Sequence, residues 1–229
     1  MEKTTEREIQ RAISTSDLYQ ILAMSLHLPN TEIAQGLLAG SMAEDIIAIF
    51  QELGFSDEAT KKIETVLLAI QNSQSLTEEL LSDLRQEYTR LFTHPKKPEI
   101  EIYETLFLYN PEESRIKPAL FISPAAMHAE HCYEKAGLVP SKEVNEPGDH
   151  MATEMEFMMF LHLEKAKALQ ADNQEELARR EAEIQEFETL HLQKWAHSFF
   201  EKMASISHSD FYRALGAIGS ILMVDRLSI

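Results

Sequence analysis

Apolar residues recur along this chain at spacings of three and four from one end to the other. That is the period of an amphipathic helix, and the two-residue alternation of a half-buried strand is essentially absent. With only seven glycines to interrupt it, the pattern predicts an all-α fold. A first helix starts at Thr4 or Thr5, runs past Leu18, Leu22 and Leu26, and halts before Pro29. Asn30 or Thr31 opens a second, closed near Gly40, and Ser41 to Leu53 forms a third with Gly54 as its stop. Ser56 caps a fourth, with Ile63, Val66, Leu67 and Ile70 on one side.

Ser75-Leu76-Thr77-Glu78 has the spacing of a capping box. The helix it starts runs to Phe92, with Leu80, Leu81, Leu84, Tyr88 and Leu91 at inward positions. His94 to Pro98 is a loop, and Glu99 to Asn110 fits a short helix or an extended segment equally. Ser123-Pro124 reads as N-cap then first helical residue of a helix from Pro124 to Ala136, ended by Gly137. Asp172-Asn173 breaks the pattern again before a long helix from Gln174 to Met203, and Ser207 caps a last helix. The expectation is a single globular bundle of about ten helices over 1–229, without repeats. The dozen residues from Leu138 to Asp149 are long for a bundle connection and form a candidate hinge.

The stretch from Asn145 to His162 stands out. It opens with Glu146-Pro147-Gly148-Asp149-His150 and becomes a helix apolar on nearly every side, with Met151, Met155, Phe157, Met158, Met159, Phe160 and Leu161. Such a helix belongs inside a protein. It nevertheless carries Glu154 and Glu156, and acids are seldom buried unless paired. Their partner is another part of this chain or a basic ligand from outside. His150 and Glu154 are one turn apart and can interact directly. Acids at a helix N-terminus are also favoured by its dipole, so Glu146 and Asp149 can be purely structural.

Composition narrows the partners. Hydrophobic residues make up 44%, enough for a large core. The 21 Lys+Arg against 38 Asp+Glu give a formal charge of −17. That repels phosphate backbones and excludes nucleic acid, while it favours basic peptides. A single cysteine, Cys132, permits no internal disulfide and fits a reducing compartment. The N-terminus has no apolar signal core and no run approaches the ~20 apolar residues of a membrane span, so the expectation is a cytoplasmic, soluble protein without stable membrane insertion.

The sequence carries no GxxxxGK[ST] loop, no GxGxxG after a strand and no GxSxG elbow. A di-metal carboxylate bundle needs two Glu-x-x-His spacings, and only Glu188 to His191 is present. His128, His131 and Cys132 lie close in sequence, but two imidazoles without a third ligand make a weak site. The expectation is therefore no metal, no cofactor and no catalytic residue. A metal-dependent helical oxidoreductase and a generic helical adaptor are the rival readings.

Glu146-Pro147-Gly148-Asp149-His150, followed by Glu154-Met155-Glu156-Phe157, resembles the Glu-Pro-x-Asp-His signature of the TorD/DmsD/NarJ family. Tyr88-Thr89-Arg90-Leu91-Phe92, with Pro95, Pro98 and Tyr103-Glu104-Thr105 after it, is similar to that family's Tyr-x-x-Leu-Phe, proline and Tyr-Glu-Ser run. Tyr133 to Leu138 resembles the segment before the acidic motif, and His191-Leu192 to Trp195 with Phe211 to Leu215 resembles the closing helices. Thr105 and His94 depart from the common serine and glycine.

The resemblance implies an all-helical fold, sometimes domain-swapped, present as monomer or homodimer. It implies a chaperone that binds the twin-arginine signal peptide or the precursor body of an exported molybdoenzyme of the DMSO/TMAO reductase type, and delays export until the cofactor is inserted. Guanidinium groups pair bidentately with carboxylates. Glu146, Asp149, Glu154 and Glu104 are the expected partners of the arginines, with His150 orienting Asp149 and Pro147 shaping the turn. Tyr88, Tyr103, Phe157, Met155 and Met158 are the expected groove for the apolar stretch.

Overall fold

The computed structural model describes residues 2–73, 75–113, 116–139 and 146–227. It contains α1 (Glu2–Ser25), α2 (Thr31–Ala39), α3 (Ser41–Leu53), α4 (Asp57–Gln71), α5 (Thr77–Tyr88), α6 (Glu104–Phe107), α7 (Pro124–Lys135), α8 (Met151–Gln170), α9 (Gln174–Phe187), α10 (Gln193–Ile206) and α11 (Asp210–Leu227). A π-helical turn, Thr89–Thr93, extends α5, and a second, Glu188–Leu192, joins α9 to α10 without a break. Counting α9 and α10 as one rod, the all-α fold has the ten helices that the periodicity predicts. No strand occurs among the described residues, where the extended pairing is an isolated antiparallel bridge between Tyr103 and His150.

Most helix ends are capped by the residues that the sequence marks. The Asn30 carboxamide accepts from the Ile33 amide at 3.0 Å, Ser56 from Ala59 at 3.2 Å and Ser123 from Ala126 at 3.1 Å. Gly40 and Gly54 close α2 and α3 at φ 84 and 78, where a side chain would be strained. Two caps differ from expectation. The acid that caps α5 is Glu79, which accepts from the Leu76 amide at 3.2 Å, one residue beyond the predicted Ser75–Glu78 box. Ser207 lies three residues before α11; its hydroxyl donates to Glu87 Oε1 at 2.8 Å and accepts from the Ser209 amide at 3.1 Å in the turn that leads into the helix. Glu99 to Asn110 proves to be both things at once, extended at Tyr103 and helical over α6. The candidate hinge lies partly outside the described residues, at 140–145.

The chain forms two compact units, Met1–Ala23 with Glu101–Ala196, and Met24–Ile100 with His197–Ile229. Residues on both sides of the candidate hinge belong to the first unit. There α1 lies on α8, with Tyr19 stacked on His162 at 5.6 Å and Ser16 Oγ donating to the Met159 carbonyl at 2.9 Å. The methionine-rich face of α8 is core: Met151, Met155, Met158 and Leu161 are fully buried. A helix that is apolar all round can only be accommodated in this way.

In the second unit, Phe92, Phe199, Phe200 and Tyr212 form the aromatic centre. Gly216 lets α11 approach α10 closely, since a Cβ there would lie 2.4 Å from the Ala204 nitrogen. Glu87, at the end of α5, ties this unit together. It takes two 2.8 Å bonds from Arg90, one from Ser207 and one from the His208 amide at 2.6 Å, while Arg90 also donates to the Ile206 carbonyl. Burial alone would raise the Glu87 carboxyl, but these donors hold it down at about 2.

Glu87→Ala is therefore expected to cost about 2 kcal/mol at pH 7, the loss of hydrogen bonds to a charged group. A depressed acid contributes its stability above the unfolded value and loses it as pH falls through the folded one. The gap in chemical denaturation between wild type and variant should close between pH 4.5 and about 2. A gap independent of pH would contradict the assignment.

Candidate functional site

The acidic signature is organised by the meeting of two helix starts in the first unit. The Tyr103–His150 bridge brings the beginnings of α6 and α8 together. The Glu104 amide donates to the Asp149 carbonyl at 2.9 Å and the Met151 amide to the Ile102 carbonyl at 3.0 Å. Gly148 permits the turn to rest on α7: a Cβ there would lie 2.9 Å from the Ala126 carbonyl oxygen and 2.6 Å from Glu130 Cγ. Tyr133 of α7 locks the same turn by donating to the Gly148 carbonyl at 2.6 Å.

His150 is the N-cap of α8, its Nδ1 accepting from the Ala152 amide at 3.1 Å. Asp149 points the other way, and its Oδ2 accepts from the Thr105 amide at 2.9 Å in the first turn of α6. His150 thus fixes the start of α8. The Thr105 hydroxyl donates to Ser123 Oγ at 2.6 Å, so the threonine does what a serine would do there. Tyr103, whose ring meets His150 edge-on, donates to Glu146 Oε2 at 2.6 Å.

Behind this turn lies a buried polar cluster. Asp149 and Glu154 are 0% exposed, and Glu104 and His191 are buried beside them. His191, on the π-helical turn before α10, meets Glu104 Oε2 through Nδ1 at 2.6 Å and His128 Nδ1 through Nε2 at 2.9 Å. Cys132 Sγ lies 3.7 Å from the same His128 nitrogen. Trp195 donates its indole N–H to Glu154 Oε2 at 3.0 Å. No donor among the described residues reaches Asp149 Oδ1 or Glu154 Oε1, and the nearest cation-forming group to the latter is His191 at 4.0 Å.

These surroundings set the protonation. Burial, then the Glu104 charge, push the Glu154 carboxyl well above its usual range, which keeps a proton on it. Burial also raises Asp149, against the lowering effect of its bonds to Thr105. Burial raises the Cys132 thiol to about 11, and burial and the neighbouring His191 lower His128. Among the described residues, none of Glu104, Glu146, Asp149 or Glu154 is paired with a lysine or an arginine.

The structure brings Glu104, Tyr103, Glu146, Pro147, Asp149, His150 and Glu154 into one neighbourhood. Only Glu146 of the acids is exposed, and Pro147 is buried. The expected groove residues lie elsewhere. Phe157, Met155 and Met158 are core, with Phe157 packed on Tyr133 and Phe187. Tyr88 belongs to the second unit, edge-on to Phe92. The exposed large apolar side chains of the first unit include Leu108, Phe121, Ile122 and Met127, at and before α7, with Ile122 73% exposed, besides Ile116 and Val139.

Sequence reasoning missed the linkage of His128 and Cys132 to His191, because 63 residues separate the two histidines. It also missed Trp195 as the donor to Glu154. The one available signal was that the only tryptophan of the chain lies four residues after His191, one turn along a helix.

A family model described as "Nitrate reductase delta subunit" matches residues 54–201. No curated protein matches the chain.

An acid whose folded value is raised contributes its stability below the unfolded value, near 4.5, and loses it as pH rises through the folded value. Glu154→Gln keeps an oxygen for Trp195 and removes the ionisation. The melting temperature of the variant relative to wild type should therefore rise from pH 5 to pH 9. A difference constant over that range would mean that Glu154 is not held protonated.

Proposed function

This chain belongs to the nitrate reductase delta subunit family, the NarJ/TorD type of molybdoenzyme-maturation chaperone, and we propose that it recognises the twin-arginine signal peptide of an exported molybdoenzyme precursor. It acts in the cytoplasm by binding and releasing this chain, not by catalysis, and it holds the precursor back until the cofactor is in place.

The observation that carries the reading is a group of carboxyls gathered at one pair of helix starts with no lysine or arginine among their partners in the described residues. Structural carboxylates are usually neutralised by lysine or arginine when they are drawn from water. Here one acid, Glu146, stands at the surface, and three stand behind it. A guanidinium that reaches Glu146 displaces the Tyr103 hydroxyl and gains the field of the Glu104 carboxylate, with Glu154 held neutral beside it. The exposed Phe121, Ile122 and Met127 supply an apolar surface in the same unit for the hydrophobic stretch that follows the arginines. The charge of −17 favours the approach of a basic peptide. No single helix among the described residues is long and apolar enough to cross a membrane, which fits a partner met before export.

Calorimetric titration of the whole protein with twin-arginine peptides from reductase precursors tests this directly. Peptides with both arginines changed to lysine should bind at least about tenfold more weakly, a difference of ~1.4 kcal/mol. Glu146→Gln and Ile122→Asp should each weaken binding by about threefold to tenfold while the melting temperature moves little, since both sites are exposed. Equal affinity for arginine and lysine peptides would make the protein a general adaptor for basic segments. Binding of no precursor peptide by folded protein would contradict the reading.

A further inference from the structure

His128 and Cys132 sit one helical turn apart on α7, and His191 reaches the same point from the π-helical turn before α10. We propose that these three side chains form a binding site for one thiophilic divalent cation of the zinc type, with Glu104 as the outer partner that orients His191.

The donor set is the first reason. One thiol and two imidazoles suit a borderline-soft cation, and leave magnesium and calcium, which want oxygen, poorly served. Geometry is the second. The three ligand atoms, His128 Nδ1, Cys132 Sγ and His191 Nε2, lie within 4.8 Å of one another. Tetrahedral zinc with Zn–N of ~2.0–2.1 Å and Zn–S of ~2.3 Å needs N···N of roughly 3.3 Å and N···S of roughly 3.6 Å. The structure has 2.9 Å between the imidazole nitrogens and 3.7 Å from His128 to the sulfur, with Cys132 and His191 within 4.8 Å of each other, so the site needs a few tenths of an ångström of opening between the imidazoles and adjustment of the third pair toward roughly 3.6 Å.

The third reason is the support behind the ligands. Metal-bound histidines characteristically donate the other ring N–H to a carboxylate, which fixes the ring and strengthens it as a ligand. Glu104 already holds His191 Nδ1 at 2.6 Å, and Phe187 stacks on the ring at 4.5 Å. A second triad, Glu104, Glu154 and His191, is also compact. It is entirely buried and would have to break the Glu104–His191 bond, so it is the poorer site. His128, by contrast, is only partly buried and gives the first triad an edge open to solvent for entry and for a fourth, water ligand. Two of the ligands come from one helix and the third from a π-helical turn, a feature concentrated at functional sites.

The test uses the full chain stripped with a chelator and titrated with Co²⁺, then with Zn²⁺. The expected result is one Co²⁺ per chain at micromolar concentration, with a sulfur-to-cobalt charge-transfer band and the intense visible absorption of four-coordinate cobalt, both abolished by Zn²⁺. Cys132→Ser should remove the charge-transfer band. His128→Gln, at a partly exposed position that leaves the core intact, should weaken binding at least tenfold, and Glu104→Gln by roughly 10–100-fold. Absence of stoichiometric binding by the folded protein would overturn the proposal. So would binding that survives Cys132→Ser and His128→Gln, which would place the ion on the surface carboxylates. Signal-peptide affinity plays no part in these readouts, so the site stands or falls apart from the chaperone reading.

Discussion

The 2.6 Å contact between Glu104 and His191 is the constraint around which the first unit is arranged. Both groups are withdrawn from water, where an unpaired charge is costly and a charge-assisted hydrogen bond is strong. The contact links α6, which carries the carboxyl, to the helical rod made by α9, the π-helical turn and α10. Because the Glu104 amide is bonded to the Asp149 carbonyl, the same short segment also holds the start of α8. Three elements distant in sequence are thereby fixed by one residue, through its main chain on one side and its side chain on the other.

That arrangement explains why a cluster of acids is tolerated in an apolar interior. Each buried acid has its own partner, Thr105 for Asp149, Trp195 for Glu154 and His191 for Glu104. Glu154 gains most by staying protonated, for burial and the Glu104 charge act in the same direction. The contrast with Glu87 in the second unit is instructive. That carboxylate is surrounded by a guanidinium, a hydroxyl and an amide, and is driven down to about 2. One acid network is fully satisfied within the chain, and the other leaves Asp149 Oδ1 and Glu154 Oε1 without a donor among the described residues.

The helical architecture was legible because its signals are local. Asn30, Ser56 and Ser123 cap the helices that their positions mark, and Gly40 and Gly54 end theirs. The misread caps show the limit of such signals. Leu76 has no side-chain acceptor, so only the reverse half of a capping box forms, with Glu79 accepting from the Leu76 amide. Ser207 looks like a cap in sequence but serves the turn before α11, where it joins Ser209 to Glu87, 120 residues distant. The acidic turn was legible as a site because its residues are contiguous. The apolar residues expected beside it were not: Met155, Phe157 and Met158 share the helix with the acids but face the core, while Phe121, Ile122 and Met127 are among the exposed apolar side chains. Helical periodicity identifies an apolar face without saying what covers it. The meeting of His128 with His191 depends on how α7 lies on the α9–α10 rod, which no spacing in the chain encodes.

Nitrogen-15 NMR of the histidine rings in the full chain, before and after Glu104→Gln, tests the central contact most directly. If Glu104 holds His191 as described, His191 Nδ1 is protonated in the wild-type protein at neutral pH and its resonance shifts when the carboxylate is replaced by the amide. A His191 ring with its hydrogen confined to Nε2, or one whose signals do not change in the variant, would contradict the account.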